Sequence, residues 1–221
     1  MFRIKFVDNA VLALLSYLVS IVGNYGLAII ITTVIVKLAL LPLSIKQEKS
    51  MIRMKELQPK VDEINQKYKN DKAKIQEMTA ELYKKEQVNP LSGCLPLLIQ
   101  LPIFVALYYA FIGDAIPANA SFLWFNLKSP DALFTFNNFS FNFLPIVSAI
   151  LMIVQQKLMT PTSQNGNEME KSMQTMMYFM PVMILVLFYR MPSGVNLYYT
   201  VNTLLSILLQ LYIIKKVRKN G

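Results

Sequence analysis

The sequence contains no histidine and only one cysteine, Cys94, among its 221 residues. Without histidine, the chain cannot be a Ser-His-Asp hydrolase, a Cys-His protease, an HExxH metalloprotease or a His-ligated haem protein. A single cysteine allows neither an intrachain disulfide nor a Cys-rich zinc site. The seven glycines form no GxGxxG motif and no Walker loop. These absences exclude most of the catalytic and cofactor-binding classes that a sequence can reveal.

Charge is also scarce, since 16% of the residues are charged and 54% are hydrophobic, against about 25% charged in a soluble domain. A membrane-spanning helix needs about 20 mostly apolar residues. Four runs meet this length, and a fifth has Gln155, Gln156 and Lys157 near its end. The sequence therefore predicts an all-α polytopic membrane protein with five transmembrane helices. The four runs are residues 25–45, 93–113, 173–191 and 194–214, and the fifth is 141–159.

The distribution of positive charge predicts the orientation of these spans. The segment 46–91 holds 11 Lys and Arg residues and the tail 215–221 holds four, whereas 114–140 holds only Lys128. Positively charged segments stay in the cytoplasm. The N-terminus is therefore expected outside and the C-terminus inside, which five spans satisfy. The predicted organisation is an interfacial helix (1–22), first span (23–45), cytoplasmic hairpin (46–92), second span (93–113), extracytoplasmic loop (114–140), third span (141–159), cytoplasmic loop (160–172), fourth span (173–191), fifth span (194–214) and basic tail (215–221).

The segment 1–22 is apolar but carries a narrow polar stripe at helical spacing. Such a stripe favours a helix that lies in the membrane interface. The alternative is the hydrophobic region of a signal peptide, although no small-x-small cleavage site precedes a soluble domain. The stripe consists of Lys5, Asn9, Ser16 and Ser20. At the outer interface we expect the aromatic residues Phe122, Trp124 and Phe125.

The charged segment 46–91 predicts a helical hairpin, because two apolar seams recur at helical spacing. Asn70 and Asp71 suit the turn between the helices, and Pro59 is expected to break the first helix after Gln58. Eleven basic and eight acidic residues do not form a DNA-binding stripe. The pair either spaces two spans or docks a partner or the membrane surface. The first seam is Leu57, Val61, Ile64 and Tyr68, and the second is Ile75, Met78 and Leu82.

Lys37 is the one charge deep inside a predicted span. No Asp or Glu lies in the five runs, so we expect no buried ion pair. The ammonium then either snorkels to the inner headgroups or lines a water-filled cavity open to the cytoplasm. Prolines in the spans indicate kinked helices that leave a crevice. Candidates to line such a cavity, each also able to form an interhelical hydrogen bond, are Thr33, Gln100, Gln155 or Gln156, Asn196, Asn202, Ser206 and Gln210.

Four stretches of the chain resemble the YidC/Oxa family of membrane protein insertases. They are YGLAIIITTVIVKLALLPLSIKQ (25–47), LQPKVDEINQKYKND with ELYKKEQVNPLSGCLPLLIQLPIF (57–104), LWFNLKSPD (123–131), and residues 180–210 with MPVM and MPSGVNLYYTVN. The resemblance implies five helices around a hydrophilic groove that opens to the cytoplasm and to lipid and is closed outside. It implies insertion and folding of nascent membrane proteins, alone or beside the Sec translocon, by a non-enzyme without nucleotide, metal or other cofactor.

The resemblance also implies roles for individual residues. The groove charge of the family, usually Arg, falls on Lys37, and the groove Thr falls on Thr33. The aromatic pair of the last span falls on Tyr198 and Tyr199, of which the second usually faces the substrate. The chain resembles the short bacterial form without a large extracytoplasmic domain, placed in the plasma membrane.

Two further points concern partners and the alternative function. The basic tail after Ile214 favours contact with anionic lipid and is short for ribosome binding. A small transporter or channel, with Lys37 as counter-ion for an anionic solute, is the alternative. It would be favoured by inverted repeats with paired broken helices, and the sequence shows no internal repeat.

Overall fold

The computed structural model describes residues 5–89, 95–136, 139–159 and 179–220, and these residues are mostly helical. This confirms the predicted all-α fold class. The helices are α1 (Lys5–Val22), α2 (Tyr25–Ala39), α3 (Leu41–Glu56), α4 (Gln58–Lys67), α5 (Lys72–Lys85), α6 (Leu95–Ile112), α7 (Phe143–Met159), α8 (Phe179–Phe188) and α9 (Ser193–Asn220). Two short antiparallel pairs join β1 (Ser121–Phe122) to β2 (Phe125–Asn126) and β3 (Ala132–Phe136) to β4 (Phe139–Asn142).

The described helices differ in how well they fit a membrane span. Lys5–Val22 and Ser193–Lys216 are long and apolar enough to cross, and α2 with α3 makes a third if the bent pair is one span. Helices α6, α7 and α8 contribute shorter apolar stretches. The five-span organisation therefore stays a prediction. The predicted loop 160–172 and the beginning of the predicted fourth span lie outside the described residues.

The chain bends by 67° between α2 and α3. Pro42 lies in the first turn of α3, where a missing backbone N–H is tolerated, whereas inside a continuous helix it would leave the carbonyl of Leu38 unpaired. The helix of the predicted first span accordingly ends at Ala39, and residues 41–45 belong to α3. The bend turns α3 back across α9.

Helices α4 and α5 form the predicted hairpin. Asp71 caps α5 by accepting a hydrogen bond from the backbone N–H of Lys74 at 3.0 Å. Pro59 occupies the first turn of α4, so α3 ends at Glu56 and the break comes at Leu57. The seam residues Leu57, Val61 and Ile75 are buried. Lys60 and Glu86 pair across the outside of the hairpin at 2.6 Å.

The apolar core lies at one end of the bundle. We call the end that carries residues 113–142 the loop end, and the end that carries α3, α4 and α5 the hairpin end. Helix α9 packs along α2 and α7, and α1 packs along α2 and α6. The residues of α1 that face this core are Val11, Leu15 and Leu18, while its polar stripe stays exposed. The core at the loop end includes Ala28, Ile29, Ala106, Leu107, Ala110, Phe111, Ile116, Leu127, Leu144, Val195, Leu197 and Tyr198.

The loop between α6 and α7 is hydrogen-bonded to the end of α6 and to the beginning of α9. The ammonium of Lys128 donates to the carbonyls of Gly113 and Ile116, at 2.7 and 3.1 Å, where α6 has just ended. At the other side of the loop, where α9 begins, the N–H of Ser193 donates to the carbonyl of Ser129. The N–H of Gly194 donates to the carbonyl of Leu127. These bonds pair backbone groups that helix ends leave free. The loop end is therefore a fixed structure.

The predicted interfacial aromatics divide between surface and core. Trp124 is 47% exposed, as an interfacial ring would be, whereas Phe125 is only 4% exposed and belongs to the core. Phe122 packs on α2 directly over Gly26, where a Cβ atom would lie 2.1 Å from its ring. The glycine therefore allows the loop to approach α2 closely.

Asp131 caps α7 from the loop. Its fully buried carboxylate accepts a hydrogen bond from the N–H of Leu144 at 2.6 Å, and the positive end of the helix dipole favours this charge. Burial nevertheless raises the pKa of the Asp131 carboxyl, with the N–H groups of Leu144 and Phe143 acting in the opposite direction.

The raised pKa of Asp131 predicts a pH-dependent stability. The folded protein holds this proton more tightly than the unfolded chain, so stability falls as the pH rises from the ordinary pKa of 3.8 through the folded pKa. Thermal unfolding in detergent at a series of pH values measures this. We expect Asp131→Asn, which keeps an acceptor for Leu144, to lose that part of the pH dependence. An unchanged slope in the variant would assign it to another group.

Candidate functional site

Four polar residues recur every fourth position along α9 and face other helices. Their spacing forms a stripe that winds slowly around the helix and spans about 18 Å at 1.5 Å per residue. We call this set the polar ladder. Its members are Tyr198, Asn202, Ser206 and Gln210.

The first two residues of the polar ladder meet Gln100 of α6. Its Nε2 atom donates to the hydroxyl of Tyr198 at 2.8 Å, and its Oε1 atom accepts from Nδ2 of Asn202 at 3.4 Å. Helix α6 touches α9 at few positions, whereas α2 and α7 pack along it. Gln100 and Asn202 are both half-buried. Polar side chains thus bridge a loosely packed space between α6 and α9.

Lys37 joins the polar ladder from α2. Its Nζ atom donates to Oγ of Ser206 at 2.6 Å, and that hydroxyl donates to the backbone carbonyl of Asn202 at 2.9 Å. The half-buried ammonium is thus turned toward α9 and held within the protein. This hydrogen bond places the ammonium among polar side chains of the protein, and the water-filled cavity stays a prediction.

Glu48 is an acidic residue on the Lys37 side of α9 that lies outside the predicted spans. Oε1 of Glu48 accepts a hydrogen bond from Nε2 of Gln210 at 3.1 Å, and its carboxylate interacts electrostatically with Lys37. The search for acidic residues covered only the apolar runs, and Glu48 lies just beyond one, so the absence of a buried ion pair stays a prediction. The bend after α2 carries Glu48 back toward the bundle.

The other predicted site residues lie outside the polar ladder. Thr33 is 1% exposed, and its hydroxyl donates within α2 to the carbonyl of Ile29 at 2.7 Å. Asn196 is fully buried, and its Nδ2 atom donates to the carbonyl of Phe188 at 3.1 Å. Both side chains therefore contribute to helix packing in this structure.

Tyr199 and Gln155 also lie outside the polar ladder. Tyr199 is half-buried, packs edge-on against Phe188 with ring centroids 4.8 Å apart, and points its hydroxyl at the sulfur of Met152 at 3.8 Å. Gln155 is half-buried on α7, as is Gln156. Of the two tyrosines in the aromatic pair, Tyr198 is the one whose hydroxyl belongs to the polar ladder.

Polarity changes along the bundle. The polar ladder begins at Tyr198, which also belongs to the apolar core of the loop end, and runs to Gln210 and Glu48 at the hairpin end. The chemistry available here is electrostatic and hydrogen-bonding, centred on one ammonium and several amides and hydroxyls. Sequence reasoning missed Glu48, and the four-residue spacing on α9 was the signal that would have grouped the other members.

The comparisons with known proteins cover nearly the whole chain. The family model described as "60Kd inner membrane protein" matches residues 17–220. A protein named membrane protein insertase YidC from Fusobacterium nucleatum is 46% identical over 88% of this chain and 88% of its own length. The protein of the same name from Oceanobacillus iheyensis is 44% identical over 87% of this chain and 75% of its own.

Some longer relatives match this chain over only part of their own length. The membrane protein insertase YidC of Legionella pneumophila is 40% identical over 96% of this chain, which spans 36% of that protein. A crystal structure described as an active YidC insertase with its first transmembrane domain resolved superposes with a TM-score of 0.69 at 33% identity. It covers 94% of this chain and 46% of the solved one.

Proposed function

Because the chain belongs to the 60Kd inner membrane protein family, that of the YidC membrane protein insertases, we propose that its polar ladder is the path of insertion. The protein is a bacterial inner-membrane insertase and acts on nascent membrane proteins. The single observation that carries the proposed path is the bond between Lys37 and Ser206, which holds a cation among polar side chains inside an apolar bundle.

The physical problem is to move a polar segment of the client, the nascent membrane protein, through hydrocarbon. Each unsatisfied polar group costs several kcal/mol there. A water-filled groove along the polar ladder replaces hydrocarbon over about 18 Å of the path. The barrier falls accordingly, and the apolar part of the client leaves sideways into lipid.

The charge on Lys37 selects among clients. An ammonium in a partly buried site attracts carboxylates more strongly than one in bulk water, because the effective dielectric constant is lower. Lys offers a compact point charge without the planar fork of Arg. Recognition by this chain therefore depends on charge and hydration, and acidic translocated segments are favoured.

The proposed orientation follows the distribution of positive residues. We place the hairpin end and the C-terminus in the cytoplasm and the N-terminus outside. The polar ladder then opens toward the cytoplasm, where clients arrive. The tightly bonded loop end closes the groove on the outer side, which preserves the barrier to ions.

The proposed action is non-enzymatic, with no covalent step and no cofactor. Anionic lipid is the proposed partner of the basic tail 215–221, and the Sec translocon and the ribosome are further proposed partners. DNA is not a proposed partner, because basic and acidic residues are intermixed along the hairpin. The transporter alternative has no support from the named relatives.

Site-specific photo-crosslinking tests the path. We expect a photo-reactive residue at Asn202, on the polar ladder, to crosslink to a single-span client during its synthesis on membranes containing the protein. The crosslinks should weaken as the client integrates. A matched position at Val186, which is 69% exposed on α8, should crosslink mainly to lipid. Equal client crosslinking at both positions, or none at Asn202 while the client still inserts, would reject the path.

A further inference from the structure

The carboxylate of Glu48 is only partly satisfied by hydrogen bonds. Oε1 accepts from Gln210, but Oε2 is shielded from solvent and has no hydrogen-bond partner within the described part of the chain. A buried carboxylate oxygen without a donor is unfavourable unless a nearby positive charge compensates it. The position of Glu48 therefore needs an explanation beyond the bond to Gln210.

Lys37 supplies the compensating charge. The two side chains are held on neighbouring turns of α9, Lys37 by Ser206 and Glu48 by Gln210, and this places the carboxylate within electrostatic range of the ammonium. The ammonium has three N–H donors, of which Ser206 takes one. Lys37 thus keeps the capacity to bind another carboxylate while Glu48 reduces the positive potential around it.

We propose that Glu48 is an internal counter-ion that competes with the acidic residues of the client for Lys37, and so sets how acidic a translocated segment must be. This inference rests on the proposed function. A client segment with one carboxylate gains little attraction, because Glu48 already offsets much of the charge. A segment with two carboxylates is still attracted by the ammonium of Lys37.

The variant Glu48→Gln isolates this effect. Glutamine keeps an oxygen that accepts from Gln210 but removes the negative charge. We test one single-span client in three forms, whose translocated segment carries no Asp, one Asp or two Asp, in proteoliposomes. The one-Asp client should insert about threefold more efficiently with the variant than with the parent protein, the size of effect that a solvent-screened charge pair supplies. The client without Asp should insert equally with both.

The matched control is Glu56→Gln. Glu56 lies on the same helix, is exposed, and its replacement changes the net charge by the same amount. We expect it to insert all three clients as the parent protein does. An equal rise with both variants would assign the effect to overall charge and would overturn the proposal.

Two further variants separate the failure of this inference from failure of the proposed function. If Glu48→Gln changes nothing while Lys37→Gln lowers insertion of the Asp-bearing clients, Glu48 has no competing role and Lys37 retains its own. If Lys37→Gln also changes nothing, the selection by charge fails as well. The double variant Lys37→Gln with Glu48→Gln leaves no unpaired buried charge. It therefore still tests the proposal if a single variant does not fold. We expect it to insert all three clients alike, and a persistent dependence on Asp number would overturn the proposal.

Discussion

Replacing Lys37 with leucine should lower the insertion of clients with acidic translocated segments by about tenfold, which corresponds to about 1.4 kcal/mol of lost attraction in a partly buried site. Two effects combine in this variant. The attracting cation disappears, and the carboxylate of Glu48 remains in the groove, where it repels the acidic client. Lys37→Arg retains the charge and should keep the activity.

The measurement is the inserted fraction of one client in two forms, with two Asp or two Asn residues in the translocated segment. The Asn form is the control, and we expect it to be much less sensitive to Lys37→Leu. Adding Glu48→Gln to Lys37→Leu should recover part of the loss, since it removes the remaining repulsion. Equal insertion of the Asp form by the parent, Arg and Leu proteins would contradict selection by the groove charge.

Replacing Gly194 with alanine should destabilise the fold by about 1–3 kcal/mol, the range typical of overpacking in a tight core. A Cβ atom at this position would lie 2.2 Å from the ring of Phe111, which is completely buried. Helix α9 cannot shift to relieve the clash, because the N–H of Gly194 is bonded to the carbonyl of Leu127 at 3.0 Å. Thermal unfolding in detergent would show this as a lowered midpoint.

Two controls identify the cause of that destabilisation. Gly23→Ala makes the same substitution where no atom lies within 4 Å of the new Cβ, although the φ angle of +70° carries its own strain. It should lower the midpoint less. The pair Gly194→Ala with Phe111→Leu should be more stable than the sum of the single effects predicts, because the smaller side chain makes room. Strict additivity of the two substitutions would rule out the clash with Phe111.

The fold class was predictable because membrane helices and amphipathic hairpins leave a periodic signal in sequence. The apolar runs, the seams of α4 and α5 and the turn at Asn70 and Asp71 are local features. The seam residues Leu57, Val61 and Ile75 are buried as expected, whereas the five spans that the apolar runs indicate stay a prediction. The bend after Ala39 was harder to place. Pro42 signals a break, but its angle and direction follow from the packing of α3 against α9.

The loop end shows what local patterns do not carry. The sequence predicts an extracytoplasmic loop with interfacial aromatics, and Trp124 fits that description. The core position of Phe125, the cap supplied by Asp131 and the bonds from Lys128 to the end of α6 join residues far apart in the chain. The spacing of apolar residues in the sequence does not predict such contacts, because each one depends on where another helix ends.

The sequence by itself determined that this is a helical membrane protein with one cation deep in an apolar run, because hydrophobic length and charge are properties of consecutive residues. Its resemblance to the insertases depended on motifs of the same local kind. Only the tertiary structure decided which polar groups share a space. It separated Thr33 and Asn196 from the polar ladder, joined Gln100 and Ser206 to it, and brought Glu48 to Lys37, because a bend between two helices sets distances that residue spacing does not contain.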